Sequence, residues 1–157
     1  DRLAGFFPGG DPGHRHKGLQ LDQTHPARLR LVGPQKDPKR LGQLVHLLRL
    51  LQDLAVFAAT LANNGVNPLT GEQLIQPHTV KLVRSLMVTC GMYDYSGEFA
   101  ATVGLPSKSG VGGGIISCAI GQYGLATYGP ALDDKGNSIG GLKMLEYLSE
   151  EMDLSIF

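Results

Sequence analysis

The stretch Leu105-Pro-Ser-Lys-Ser-Gly-Val-Gly-Gly-Gly-Ile-Ile116 constrains this chain more than any other. A lysine, a serine and a row of glycines run straight into apolar residues, the pattern of a sheet strand with one polar face. Gly112, Gly113 and Gly114 have no side chain to hold off a ligand or a neighbouring strand, so their N–H groups can come close to an oxygen. Lys108 and Ser109 add a positive charge and a hydroxyl to the same edge. The plainer reading is a glycine-rich strand packed on a helix. Two nucleotide readings fail on spacing. No Gly-Lys-Ser/Thr closes the glycine row as a phosphate-binding loop requires, and the glycines do not fall at G-x-G-x-x-G.

The chain has 157 residues, enough for one domain with a single core. Its formal charge is zero, which argues against a nucleic-acid partner. No apolar run approaches the length of a membrane span and no secretory signal opens the chain, so no membrane partner is expected. Cys90 and Cys118 fall on different predicted elements without metal-ligand spacing. Reduced thiols in a cytoplasmic protein are the expectation.

The balanced charge conceals two unlike halves. Residues 1–50 hold nine Lys or Arg against four Asp, whereas residues 51–157 hold five against ten Asp or Glu. Before position 52 there is no Ser, Tyr, Asn, Ile, Met or Glu. Residues 1–40 mix Pro, Gly and basic residues without a period of 2 or 3.6, and read as loop or disorder. His14, His16 and His25 lie there, but no cysteine or carboxylate completes a metal-ligand spacing, so no metal is expected. Leu41–Leu51 can form a helix that is apolar nearly all round, with His46 a core or partly exposed residue.

From Asp53 the pattern becomes regular. Asp53 reads as the cap of a helix whose apolar positions are Leu54, Phe57, Ala58 and Leu61, ended at Asn64-Gly65. Pro77 suits the first turn of a second helix that buries Val80, Val83, Leu86 and Met87 and stops at Gly91, with Lys81 and Arg84 solvated. Ser96–Val103 reads as a short helix closed by Gly104. A strand over 111–120 is expected to pair with one over 124–128 about Gly121-Gln122. A final helix follows, capped by Asn137, with Ile139, Leu142, Leu145 and Leu148 facing the sheet. The expected class is mixed α/β (α+β), helices packed on an antiparallel sheet.

Lys108-Ser109-Gly110 resembles the Lys-Ser/Thr-Gly element of the serine β-lactamase and penicillin-binding superfamily. Leu82–Ala100, with its Cys90-Gly-Met-Tyr-Asp94 core, and Val103–Ile115 are more closely similar to the serine-dependent glutaminases of the bacterial type. Leu54–Gly71 and the tail from Leu132 to Phe157 resemble that family too. The resemblance covers roughly residues 52–157 and stops upstream. It implies that 52–157 is the C-terminal part of a glutaminase domain with a partial β-lactamase/transpeptidase-like fold. Residues 1–51, with their missing residue types, are expected to be disordered or translated out of frame.

The resemblance also implies a chemistry: hydrolysis of L-glutamine to L-glutamate and ammonia through an acyl-serine, with no metal or organic cofactor, in a homodimer or homotetramer. Tyr93 matches a tyrosine lining the glutaminase active site. A phenol beside an amide leaving group can shuttle a proton, and Lys108 is a candidate neighbouring cation. Read without the family, Tyr93 is a packing tyrosine, as Tyr95 remains. The Val111 N–H matches one oxyanion donor, and Lys108 and Ser109 flank the substrate by the same resemblance. The nucleophile has no counterpart: none of the eight serines has lysine three places on, so the Ser-x-x-Lys pair is missing and the chain is expected to be inactive alone. The alternatives are a β-lactamase or penicillin-binding relative, which a chromogenic β-lactam would reveal, and a non-catalytic fragment, which releases no ammonia.

Overall fold

The structure is a computed structural model that describes residues 38–157 and, upstream, only Gln20–Leu21 (β1) paired antiparallel with Leu29–Arg30 (β2). Of the loop expected over residues 1–40, Pro38–Arg40 are instead helical, and the remainder apart from β1 and β2, with His14, His16 and His25, lies outside the described residues. The chain divides into two units, Asp1–Leu41 and Gly42–Phe157. The second carries every site residue named above.

Helix α1 runs unbroken from Pro38 to Ala62. Asp53 is therefore an interior helical residue and not a cap. The preceding segment is rich in leucine and contains neither a proline nor a left-handed residue to end a helix, so nothing interrupts it. Lys39–Ala62 is also long and apolar enough, by length and composition, to cross a membrane, although core helices of soluble proteins and signal sequences pass the same test. This corrects the expectation that no apolar run approaches a span: the isolated polar residues Gln43, His46 and Arg49 are diluted by leucines on every side.

Helix α2 (Pro77–Cys90) starts on Pro77 as its fixed φ favours. After a one-turn 3₁₀ segment at Tyr93–Tyr95 comes α3 (Ser96–Thr102). Three antiparallel strands follow in the order β3 (Ser107–Ser109), β4 (Gly114–Ala119), β5 (Tyr123–Tyr128). Helix α4 (Ile139–Met152) closes the fold. Its cap is Ser138, whose hydroxyl accepts the Gly141 N–H at 3.1 Å, and not Asn137, which is turned inward and buried.

The central strand β4 is covered on both faces because its alternate residues serve two cores. Ile115 and Ala119 join Phe99 of α3 and Leu145 of α4 on one side, with Met92, Val103, Leu105 and Leu154. Cys118, with Ile116, joins Ala58, Leu61 and Ala62 of α1 and Val80 and Met87 of α2 on the other. Close approach needs glycine here: a Cβ at Gly124 would lie 2.0 Å from the Ala59 nitrogen of α1. Leu86 and Phe57, expected inside, are exposed. Arg84, expected in solvent, reaches back to α1 and donates from Nε to Leu61 O at 2.8 Å, and from Nη2 to Ala62 O at 2.8 Å and to Leu61 O. It thereby satisfies carbonyls that the end of a helix leaves unpaired.

Candidate functional site

Helix α2 ends against strand β3. A Cβ at Gly91 would stand 1.9 Å from Ser107 O and 2.3 Å from Met87 O, so only glycine permits this contact. The Ser109 N–H donates to Gly91 O at 3.0 Å and fixes it. Two residues on, Tyr93 adopts φ +53°, a left-handed conformation that is unfavourable for a side chain with a Cβ. The buried Ser96 holds it there: its hydroxyl accepts the Met92 N–H at 3.0 Å and donates to Tyr93 O at 2.7 Å. Tyr93 stays 40% exposed as a result, while Tyr95 packs edge-on against Phe99, 6.2 Å between centroids.

Opposite Tyr93, β3 alternates buried Ser107, exposed Lys108 and buried Ser109. The Lys108 ammonium sits 4.8 Å from the Tyr93 ring centroid and also donates to Ser109 O. Ser109 is on the other face of the strand: it is 2% exposed and its Oγ has no partner among the described residues. Its register neighbour across the sheet is Ile115, while Ser107 Oγ, one step back, pairs with Ser117 Oγ at 2.6 Å.

Between β3 and β4 the chain reverses. Residues 111–113, expected within one strand, form the turn instead, because Gly113 takes φ +92° and any Cβ there would lie 2.4 Å from Gly129 O. The turn is closed by the Gly110 N–H to Gly114 O at 3.0 Å and the Gly113 N–H to Gly110 O at 2.9 Å. Among the described residues no acceptor takes the Val111 N–H, and Val111 is 70% exposed. A Cβ at Gly136 (φ +86°) would sit 3.6 Å from Val111 Cγ1 and 3.8 Å from Tyr93 Cε2, so the bare glycine marks a gap between the two side chains. The neighbouring Asn137 ties that loop to the Tyr93 segment by donating to Met92 O at 3.4 Å.

Tyr93, Lys108 and Val111 thus share one edge, and Ser109 stands behind it. Sequence reasoning missed Gly91, Ser96 and Gly136, which position the edge. The Met92-x₃-Ser96 spacing was the available signal for the brace; nothing local marked Gly136. Beside Lys108 an apolar cavity of about 300 Å³ opens between α1 and α2, lined by Phe57, Leu61, Val83, Leu86 and Met87. Among the described residues no group of three His, Cys, Asp or Glu is placed to hold a metal ion.

A three-stranded antiparallel sheet with helices on both faces and a Lys-Ser-Gly edge strand is a layer of the serine β-lactamase-like fold. The glutaminase family model matches residues 43–157, and the chain belongs to that family. The glutaminase of Clostridium tetani is 59% identical over 106 residues, 68% of this chain and 35% of that protein. A Clostridium botulinum glutaminase is 56% identical over the same shares. Among solved structures, a Bacillus subtilis glutaminase in covalent complex with 5-oxo-L-norleucine, formed by reaction with 6-diazo-5-oxo-L-norleucine, matches with TM-score 0.67 and 42% identity, over 68% of this chain and 39% of that one. A Bacillus glutaminase crystallised in 4.3 M NaCl matches with TM-score 0.66 and 43% identity, over 68% of this chain and 38% of its own. The chain spans about a third of the length of the curated relatives it matches.

Proposed function

We propose that residues 52–157 are the receiving half of a glutaminase active site, acting on L-glutamine without metal or organic cofactor. The observation that carries this reading is the edge itself: an exposed phenol held in a left-handed conformation, an ammonium 4.8 Å from its ring, and a backbone N–H with no acceptor among the described residues. In the B. subtilis relative 6-diazo-5-oxo-L-norleucine has lost its diazo group and is held covalently as 5-oxo-L-norleucine, which supports an enzyme nucleophile beside the carbon that bore the diazo group, one atom from the carbonyl that corresponds to the amide carbonyl of glutamine. Tyr93 then moves the proton to the departing ammonia. Lys108 steadies the negative charge near the phenol, and the Val111 N–H donates to the developing oxyanion. Loss of one such donor costs about 3 kcal/mol of transition-state stabilisation. Ser109 lines the substrate only if its strand turns its buried hydroxyl outward, and is the weakest member of the set.

The nucleophile and its lysine have no counterpart in residues 1–157. This chain alone therefore does not turn over glutamine, and completing the site requires the serine and lysine from another segment. The family reading also carries homo-oligomeric assembly and a cytoplasmic location. Residues 1–42 lie outside the family match, which begins at residue 43; translation out of frame accounts for the residue types missing before position 52, and reading the coding DNA in the other two frames tests this.

The test of the site is a chimera: C. tetani glutaminase carrying residues 52–157 of this chain in place of its own C-terminal segment. The chimera is expected to hydrolyse glutamine, and Tyr93→Phe within it to lower kcat by about 10² or more, as for a lost proton-transfer group, with its melting unchanged. A folded chimera indifferent to Tyr93→Phe contradicts the catalytic role.

A further inference from the structure

A second cavity, of about 230 Å³, lies among α2, the segment entering β3 and the β4–β5 turn. Lys81, Arg84, Ser85 and Val88 recur at helical spacing and put one stripe of α2 into it, facing Pro106 and Ile120. It shares no lining residue with the Tyr93–Lys108 edge. Two cations therefore meet a largely apolar wall. Among the described residues neither pairs with a carboxylate, the one ion pair there being Lys135 to Glu98.

The hydrogen bonds fix which donors of the lining residues remain for a ligand. Arg84 directs Nε and both Nη2 protons to the carbonyls of Leu61 and Ala62, which leaves the two Nη1 protons without an acceptor among the described residues. Ser85 Oγ donates to Lys81 O, so its hydroxyl offers only lone pairs. A half-buried guanidinium locked by three bonds is a preorganised anion donor, since little side-chain freedom remains to be lost on binding. The volume is below the roughly 300 to 1,000 Å³ of pockets that take drug-sized ligands. It suits a molecule of metabolite size with a charged head and a short hydrocarbon tail.

We propose that this cavity binds a small aliphatic carboxylate, its carboxylate on Arg84 and Lys81 and its tail against Val88, Pro106 and Ile120. Arg84 also ties α2 to the end of α1, so an occupant bears on the helix whose C-terminus carries Gly91 and Tyr93.

The test uses the full chain, ¹⁵N-labelled, titrated separately with hexanoate, hexanamide and inorganic phosphate and followed by amide shifts. Hexanoate is expected to shift Ser85, Val88 and Ile120 saturably, with hexanamide and phosphate each weaker by about tenfold or more, the size of one lost charge-assisted bond or of the lost tail contacts. Lys81→Met, which keeps the stem and removes the charge, is expected to weaken hexanoate by a similar factor. Arg84 variants risk unfolding the α1–α2 contact, so Ile120→Trp serves instead, filling the tail end while leaving both cations. Hexanamide or phosphate matching hexanoate overturns the proposal, as does unchanged hexanoate binding in Lys81→Met or Ile120→Trp.

Discussion

The Lys108 ammonium and the Tyr93 ring face each other at 4.8 Å although they belong to different elements, one a strand and the other the turn after a helix. They meet because Gly91 lets α2 run into β3 with no Cβ between them. Gly91→Ala places a carbon 1.9 Å from Ser107 O, backbone on backbone, and neither side can rotate away. The substitution is expected to cost about 3 kcal/mol, at the upper end for overpacking, read from the urea midpoint at unchanged slope. In molecules that still fold, NMR contacts between the Lys108 ε-protons and the Tyr93 ring are expected to vanish. A cost under about 0.5 kcal/mol, the range of an ordinary surface substitution, would show that the contact is loose.

Ser96 braces the left-handed Tyr93 with one bond accepted and one donated. Ser96→Ala leaves the Met92 N–H buried without its acceptor, and is expected to destabilise the chain by about 1 to 3 kcal/mol. The informative variant is Ser96→Thr, which keeps the hydroxyl. It should restore the Tyr93 amide shift that Ser96→Ala moves, whereas equal displacement in both would place the cause in packing.

These two residues also show where the sequence was legible and where it was not. Helix α2, the hairpin about Gly121-Gln122 and helix α4 announce themselves by punctuation and period: Pro77, Gly121 and the stripe through Leu142 and Leu145. Lys108 is marked by the glycine row beside it, whereas Tyr93 and Val111 are legible as site residues only through resemblance, because each is chemically ordinary alone. Strand β3 was hidden because it is three residues long and merges with a glycine row that reads as strand but turns, a decision made by Gly129 packing against Gly113. Arg84 was misread because a charged residue on a helix looks solvated until the end of a distant helix supplies carbonyls. The start of α1 was misplaced because leucine on every side erases the periodicity that marks a boundary.

Burial pushes the Cys118 thiol up to about 11 from an ordinary 9.0, with the nearby Arg84 charge offsetting part of the rise. Between those values the folded chain keeps a proton that the unfolded chain has released. The folded state then binds more protons, and stability falls as pH rises. The contribution is complete below pH 9 and is lost through pH 11, amounting to about 2 to 3 kcal/mol across the window. Urea unfolding at stepped pH should show this decline, and Cys118→Ala should flatten the part due to the thiol. An identical slope in that variant would assign the decline to other groups. Exposed Cys90 should react with a thiol reagent in the native state while Cys118 does not.

On the proposed function, this chain supplies one half of a glutaminase site and no nucleophile. Ser109 cannot substitute, because strand alternation turns it away from Lys108 and buries its Oγ without a base to take the proton. Serine hydrolases stripped of their nucleophile keep about 10³ to 10⁴ of acceleration over water from binding and oxyanion donors together, and only part of that set is present here. The decisive measurement is ammonia release from L-glutamine by the purified 157-residue chain. No rate above background is expected on the proposed function. Ammonia production that follows the chain through successive chromatography steps and disappears on Ser109→Ala would contradict it, by showing that the strand serine had taken the nucleophile's place.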